Sequence, residues 1–267
     1  MNAIAATISD ARVIAWRNVI KIVRVPEILV FVLLSPIMFV LLFRYVFGNS
    51  IATGGIDYAQ FLLPGIFAQS AMFGGTFTGT GIAEDMEKGI INRFKSLPMS
   101  RSAVLAGRTA SDVIYNALSL LIMGLTGLLV GWRINGSLLD ALWAFLLLLA
   151  FSYAISWIMA YIALIVPSVE VINNASFMVI FPMTFVANTF VPVEDLPGPL
   201  ETFANWNPVS TVTQASRELF GNIDPTAPEP SGWALQNPVL YTLLCVVVVV
   251  AIFAPLATAR YRKATVR

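Results

Sequence analysis

Residues 83–112 read AEDMEKGIINRFKSLPMSRSAVLAGRTASD. This polar interval stands between two long apolar runs. It opens on Glu84, Asp85 and Glu87, continues with Lys88, Arg93, Lys95, Arg101 and Arg108, and carries Pro98 near its middle. The whole chain of 267 residues is 58% hydrophobic and only 12% charged. Soluble domains carry about 25% charged residues, so most of this chain is expected to lie in a bilayer. Charge gathered in one interval then marks a place where the membrane part meets water or a soluble partner. Acids early and cations late also suit a helix macrodipole.

Working outward, six apolar segments each approach the roughly 20 residues that a hydrocarbon core requires. They fall at about 28–47, 60–82, 110–130, 139–165, 171–191 and 236–258. Basic residues set the orientation. With the N-terminus inside, all of the 16 cations except Arg44, Arg133 and Arg217 face the cytoplasm. The expected fold is an all-α membrane protein with six transmembrane helices, multi-pass in the cytoplasmic membrane, both termini cytoplasmic.

Residues 1–27 form a separate expectation. In 7–24, Ile8, Val13, Ile14, Trp16, Val19, Ile20 and Val23 fall largely on one helical side, with Arg12, Arg17, Lys21 and Arg24 interleaved. That pattern describes an amphipathic helix lying in the cytoplasmic interface, ended by Pro26. The same stretch has no uninterrupted apolar region of the signal-peptide kind. Insertion is therefore expected to rely on the spans of the 28–267 body. Within that body, 83–109 is the expected cytoplasmic coupling loop. Residues 192–235 are too polar to span and rather apolar for a free loop. Pro192, Pro197 and Pro199 are expected to stop the preceding helix, and short re-entrant extracytoplasmic helices to follow, one around Leu200 to Trp206 and one begun by Asn207-Pro208 and running through Ser210 to Phe220. Ser210, Thr211 and Thr213 are the candidate caps of the latter. The Gly75-x-x-x-Gly79 pair permits close helix approach, either inside one chain or against a second subunit.

Several chemistries lack their residues. Histidine is absent and Cys245 is the single cysteine, which excludes the common metal-ligand sets and a Ser-His hydrolase. No Walker A motif occurs, so nucleotide cannot be held in the P-loop manner. Asp112, Asp140 and Glu170 fall near expected span ends, where a solvated or snorkelling role is expected. Asn173, Asn174 and Asn188, closer to mid-membrane, suit interhelical hydrogen bonds.

The run Glu84-Asp85-Met86-Glu87-Lys88-Gly89, then Leu97-Pro98-Met99-Ser100-Arg101, then Gly107-Arg108, resembles the coupling region of ABC-2 type exporter permeases. Phe190 to Pro197, Asn207-Pro208-Val209-Ser210 and Ala215 to Leu219 look like the daunorubicin-resistance branch of that family. The resemblance implies the permease subunit of an ATP-driven exporter for a drug, polyketide or lipid. It implies a second permease, identical or homologous, and cytoplasmic ATPase subunits that bind ATP and Mg; no cofactor is expected in this chain. It places Glu84, Glu87, Lys88, Gly89, Arg93, Pro98 and Arg101 in the coupling element. It also implies a substrate path along the second and fifth spans, with Phe73, Phe77, Met178, Phe181, Phe185 and Asn188 as candidates. A lipid-linked polysaccharide as cargo, and a nucleotide-independent transporter or scaffold, remain open alternatives. No catalytic residue, metal site or nucleic-acid partner is expected.

Overall fold

In hydrocarbon each backbone N–H and C=O must find its partner within its own segment, which leaves an apolar run little choice but helix. A computed structural model describes residues 3–24, 34–35, 37–47, 55–96, 101–166, 168–193, 196–224, 230 and 232–263. Among the described residues every regular element is helical: α1 Ala3–Arg24, α2 Ile37–Val46, α3 Tyr58–Glu87, α4 Ile90–Ser96, α5 Arg101–Leu129, α6 Leu138–Ala163, α7 Val169–Phe185, α8 Gly198–Trp206, α9 Pro208–Phe220, α10 Trp233–Gln236 and α11 Pro238–Lys263. By length and composition, Ala103–Leu129 of α5, α6 and α11 are long and apolar enough to cross a membrane, while α2 and α7 are shorter apolar helices. Part of the expected first span, 28–33, lies outside the described residues.

Helix α3 is the post around which the bundle is built, packing on α5, α6, α7 and α9. It is 30 residues long, because Asp57 caps its start by accepting the Ala59 N–H at 2.8 Å and nothing stops it before Lys88. The first acids of the polar interval are therefore helical. Its small residues face inward. A Cβ on Gly75 would come within 2.5 Å of Ile155 Cγ2, and one on Gly79 within 3.1 Å of Met159 and Ile172. The glycine pair thus serves packing inside the chain. Near the start of α3, Phe67, Trp132 and Phe220 meet edge to face, with ring centroids 5.1–6.0 Å apart.

Helix α7 stops at Phe185, earlier than the expected 191. Pro182 breaks the ladder near its end, and residues 186–192 leave the helix. Helices α8 and α9 then pack at the Tyr58 end of the bundle. Their bounds match the expected pieces, but the caps do not. Asn207 is the N-cap of α9, its side chain accepting the Val209 N–H at 2.9 Å, with Pro208 following in the first turn. Ser210 instead accepts the Asn188 N–H at 3.3 Å, and Thr211 donates to the Pro208 carbonyl at 3.0 Å. Helix α9 is pinned by buried Arg217. Its Nε donates to the Phe61 carbonyl at 2.9 Å and its Nη2 to the Asn188 carbonyl at 2.7 Å. The same guanidinium lies 3.6 Å from the centroid of the Phe61 ring.

Candidate coupling site and substrate face

At the opposite end of α3, the chain turns where Gly89 takes φ +66, the left-handed region in which glycine carries no Cβ penalty. The turn leads into α4. Glu84 and Lys88 pair across one helical turn at 3.2 Å, acid before cation, the favourable order. Asp85 reaches out of α3 to Arg17 of α1 at 3.4 Å, and the Arg17 guanidinium lies 5.3 Å from the centroid of Phe94 in α4. One arginine therefore joins α1, α3 and α4. Glu87 accepts the N–H of Val169, the first residue of α7, at 3.2 Å. A carboxylate there satisfies an orphan donor and sits at the positive end of the helix dipole.

Helix α1 is seated on α5. Its buried Asn18 donates to Ser111 Oγ at 3.2 Å. Gly107 lets it come close, since a Cβ there would lie 2.5 Å from the Ala11 carbonyl oxygen. Ile14, Asn18, Asp85, Arg108 and Tyr261 line one internal space, so α11 also ends in this junction. Lys88 and Arg93 remain exposed on its surface. Of the expected coupling residues, Glu84, Glu87, Lys88, Gly89 and Arg93 come together here. Arg101 opens α5, and Pro98 lies outside the described residues. Arg17, Asn18 and Phe94 complete the junction. They escape sequence reading because Arg17 and Asp85 are 68 positions apart, and no spacing rule links them.

Asp112 departs from expectation. It is 5% exposed rather than solvated. Thr78 Oγ1 donates to its carboxylate, and Arg108 Nε lies 3.5 Å away. Arg108 also donates to the Phe77 carbonyl at 2.8 Å. Helix α5 begins at Arg101, well before the expected span start at 110, so Asp112 lies about three turns inside it rather than at its end. A buried carboxylate persists when it is paired and hydrogen-bonded. Asp140 keeps an end-of-helix position, accepting from Ser137 Oγ at 2.6 Å, and Glu170 is exposed in the first turn of α7.

The candidate substrate residues divide. Phe73 packs on Phe181 at 6.3 Å between centroids, and Phe181 stacks on Phe185 at 4.7 Å. Phe185 meets Phe190 at 5.0 Å, and Phe190 stacks on Phe43 of α2 at 4.6 Å. Phe177 joins the ladder through Phe73 at 5.4 Å. The result is an aromatic strip over α3, α7 and α2. Phe181 and Phe185 are about half exposed along it, and Met178, also on α7, is 81% exposed. Phe77 stands apart, paired with Tyr115 of α5 at 4.7 Å. Asn188 is buried against α9, its Nδ2 3.4 Å from Gln214 Oε1. The i, i+4 series Phe177, Phe181, Phe185 was the sequence signal that extends the strip to Phe177.

Apolar helices gathered round a central post, with a charged junction at one end and bare hydrocarbon surface along the sides, define a helical membrane protein. The model of the ABC-2 type transporter family matches residues 10–220, and the chain belongs to that family. The chain is 34% identical over 261 residues to the daunorubicin resistance ABC transporter permease protein DrrB1 of Streptomyces coeruleorubidus, covering 97% of this chain and 87% of the relative. It is 24% identical over 210 residues to the protein named probable doxorubicin resistance ABC transporter permease protein DrrC of Mycobacterium tuberculosis, covering 78% and 71% respectively.

Proposed function

We propose that this chain is the permease subunit of an ATP-driven exporter that moves a hydrophobic or amphiphilic compound, such as a drug, polyketide or lipid, across the cytoplasmic membrane. Likeness to a daunorubicin resistance permease over 97% of the chain carries this reading. The exposed aromatic strip on α7 supports it, since aromatic and Met side chains offer an adaptable apolar surface to amphiphilic cargo. Six spans cross the bilayer with both termini cytoplasmic, and α8 and α9 form a re-entrant cap on the extracytoplasmic side. Cytoplasmic ATPase subunits bind ATP and Mg, and a second permease completes the translocation unit.

In this reading α4 and the last turn of α3 receive the ATPase. Movement there reaches α7 directly, because Glu87 holds the N–H of Val169 and α7 carries the aromatic strip. Arg17 carries α1 along with the same junction. The test is reconstitution of this permease with a candidate ABC ATPase subunit, and measurement of ATP-dependent anthracycline movement into inverted vesicles. Drug accumulation that needs both proteins and hydrolysable ATP is expected. Equal accumulation without the ATPase would overturn the assignment in favour of a nucleotide-independent carrier.

A further inference from the structure

Helix α9 carries an acid without a counter-charge. Glu218 is half-buried, yet among the described residues no lysine or arginine forms an ion pair with it. Burial holds its carboxyl above the ordinary range, opposed only by the hydrogen bond that Gln214 Nε2 donates at 3.1 Å. The adjacent Arg217 does not offset it. That guanidinium is buried and engaged by the Phe61 and Asn188 carbonyls and by the face of the Phe61 ring. Carboxylates drawn out of water are normally paired, so this one is a group whose partner is supplied from outside the chain.

Its neighbours say what kind of partner that is. Gln214 Oε1 lies 3.4 Å from Asn188 Nδ2. Asn188 occupies the turn between Phe185 and Phe190, whose rings are 5.0 Å apart at the end of the aromatic strip. Glu218, Gln214 and Asn188 thus form a polar line that leads off the strip. Asn188 is 4% exposed, and its Oδ1 has no hydrogen-bond partner among the described residues. Buried acceptors are nearly always met. Here an open amide oxygen and an uncompensated carboxylate share one line, two acceptors with no donor to fill them. A neutral amphiphile can use the strip but gains nothing from the carboxylate, and an anionic one is repelled. A protonated amine donates to both acceptors and is also attracted by aromatic faces. From Gln214 to Glu218 is about 6 Å along the helix at 1.5 Å per residue, so the charge of a matching ligand sits close to its ring system.

We propose that the Asn188, Gln214 and Glu218 line is a recognition site for the ammonium group of a cationic amphiphile whose apolar body lies along Phe181 and Phe185. The inference rests on the exporter reading above and narrows its cargo to one charge class. For the test, the full chain is placed in nanodiscs of phosphatidylcholine alone, so that anionic lipid does not itself gather cations. Binding is read by ligand fluorescence against empty discs, with no ATPase present. The probes are daunorubicin, whose amine is protonated, and N-acetyldaunorubicin, which keeps the rings and loses the charge. The parent is expected to bind the amine about tenfold more tightly, as a hydrogen bond to a charged group allows. Glu218→Gln keeps an acceptor for Gln214 and should abolish that preference by weakening the amine alone, while Glu218→Asp should retain it. Phe185→Ala should weaken both compounds alike, and Glu201→Gln, which removes an acid on α8, should leave the preference intact.

Equal affinity of the parent for the two compounds would overturn the proposal. So would a preference that survives Glu218→Gln, or a Glu218→Gln variant that loses both compounds equally, since its role would then be structural. Loss of the preference in Glu201→Gln as well would reduce it to overall charge and overturn the site. Because binding is read without nucleotide, a failure of the ATP-driven reading leaves this result standing. ATP-driven export of both compounds with no preference in binding would sink this inference alone.

Discussion

Glu87→Ala deletes the carboxylate that accepts the Val169 N–H at 3.2 Å. A hydrogen bond to a charged group is worth about 1.5–3 kcal/mol, and an acid at a helix N-terminus about 0.3–1 kcal/mol. The contact is exposed, so water replaces much of what is lost, and the net cost at the start of α7 is about 1 kcal/mol. That is about a fivefold change in a local opening equilibrium. Hydrogen exchange of the protein in nanodiscs should therefore show the first-turn amides of α7 exchanging about fivefold faster in Glu87→Ala. Glu87→Gln keeps an acceptor without charge and should fall between the two. In the reconstituted transporter, Glu87→Ala should hydrolyse ATP with less drug moved per cycle. Unchanged exchange at Val169 would refute the bridge itself. Faster exchange with undiminished transport per ATP would show that the bridge exists and is not the coupling path.

Gly107→Ala places a Cβ 2.5 Å from the Ala11 carbonyl oxygen and 2.7 Å from Ile14 Cβ; overpacking of this kind costs about 1–3 kcal/mol and should lower the thermal midpoint. Gly124→Ala on the same helix meets only Phe145 Cζ at 3.7 Å and should be neutral or stabilising. Arg217→Lys loses the flat guanidinium over Phe61 and cannot serve both the Phe61 and Asn188 carbonyls in the same fork. A clear drop in melting midpoint is expected, and an unchanged one would contradict the pinning role given to this residue. Burial pushes the Glu218 carboxyl above its ordinary value of 4.5, opposed by the hydrogen bond from Gln214. The stability this group contributes is present below that ordinary value and is lost as pH rises through the raised one. Glu218→Gln should therefore melt higher than the parent at neutral pH, with the difference closing on acidification.

Much of the helix count and placement was legible because a run of about twenty apolar residues has only one backbone solution in lipid. The division of 196–220 into two short helices was equally legible from its prolines and Asn207. The cap of α9 was misread toward Ser210 and Thr211, since Asn207-Pro208 already supplies both the capping side chain and the first helical residue. The aromatic strip was half visible: Phe177, Phe181 and Phe185 share a spacing, whereas Phe43 and Phe190 reach them only through the fold. Asp112 was misplaced because charge in an apolar chain reads as a span end, and only a partner on another helix reveals a buried site.

What the sequence by itself determined is the medium, the helical content and the one interval where charge gathers, because hydropathy and helical period are local quantities. Tertiary structure alone decided that Arg17 meets Asp85, that Glu87 reaches Val169, and that α8 shows its apolar side to the outside. Those facts depend on how helices cross and which faces they turn to one another. Crossing is settled by small residues such as Gly75 and Gly107 acting against partners far away in the chain.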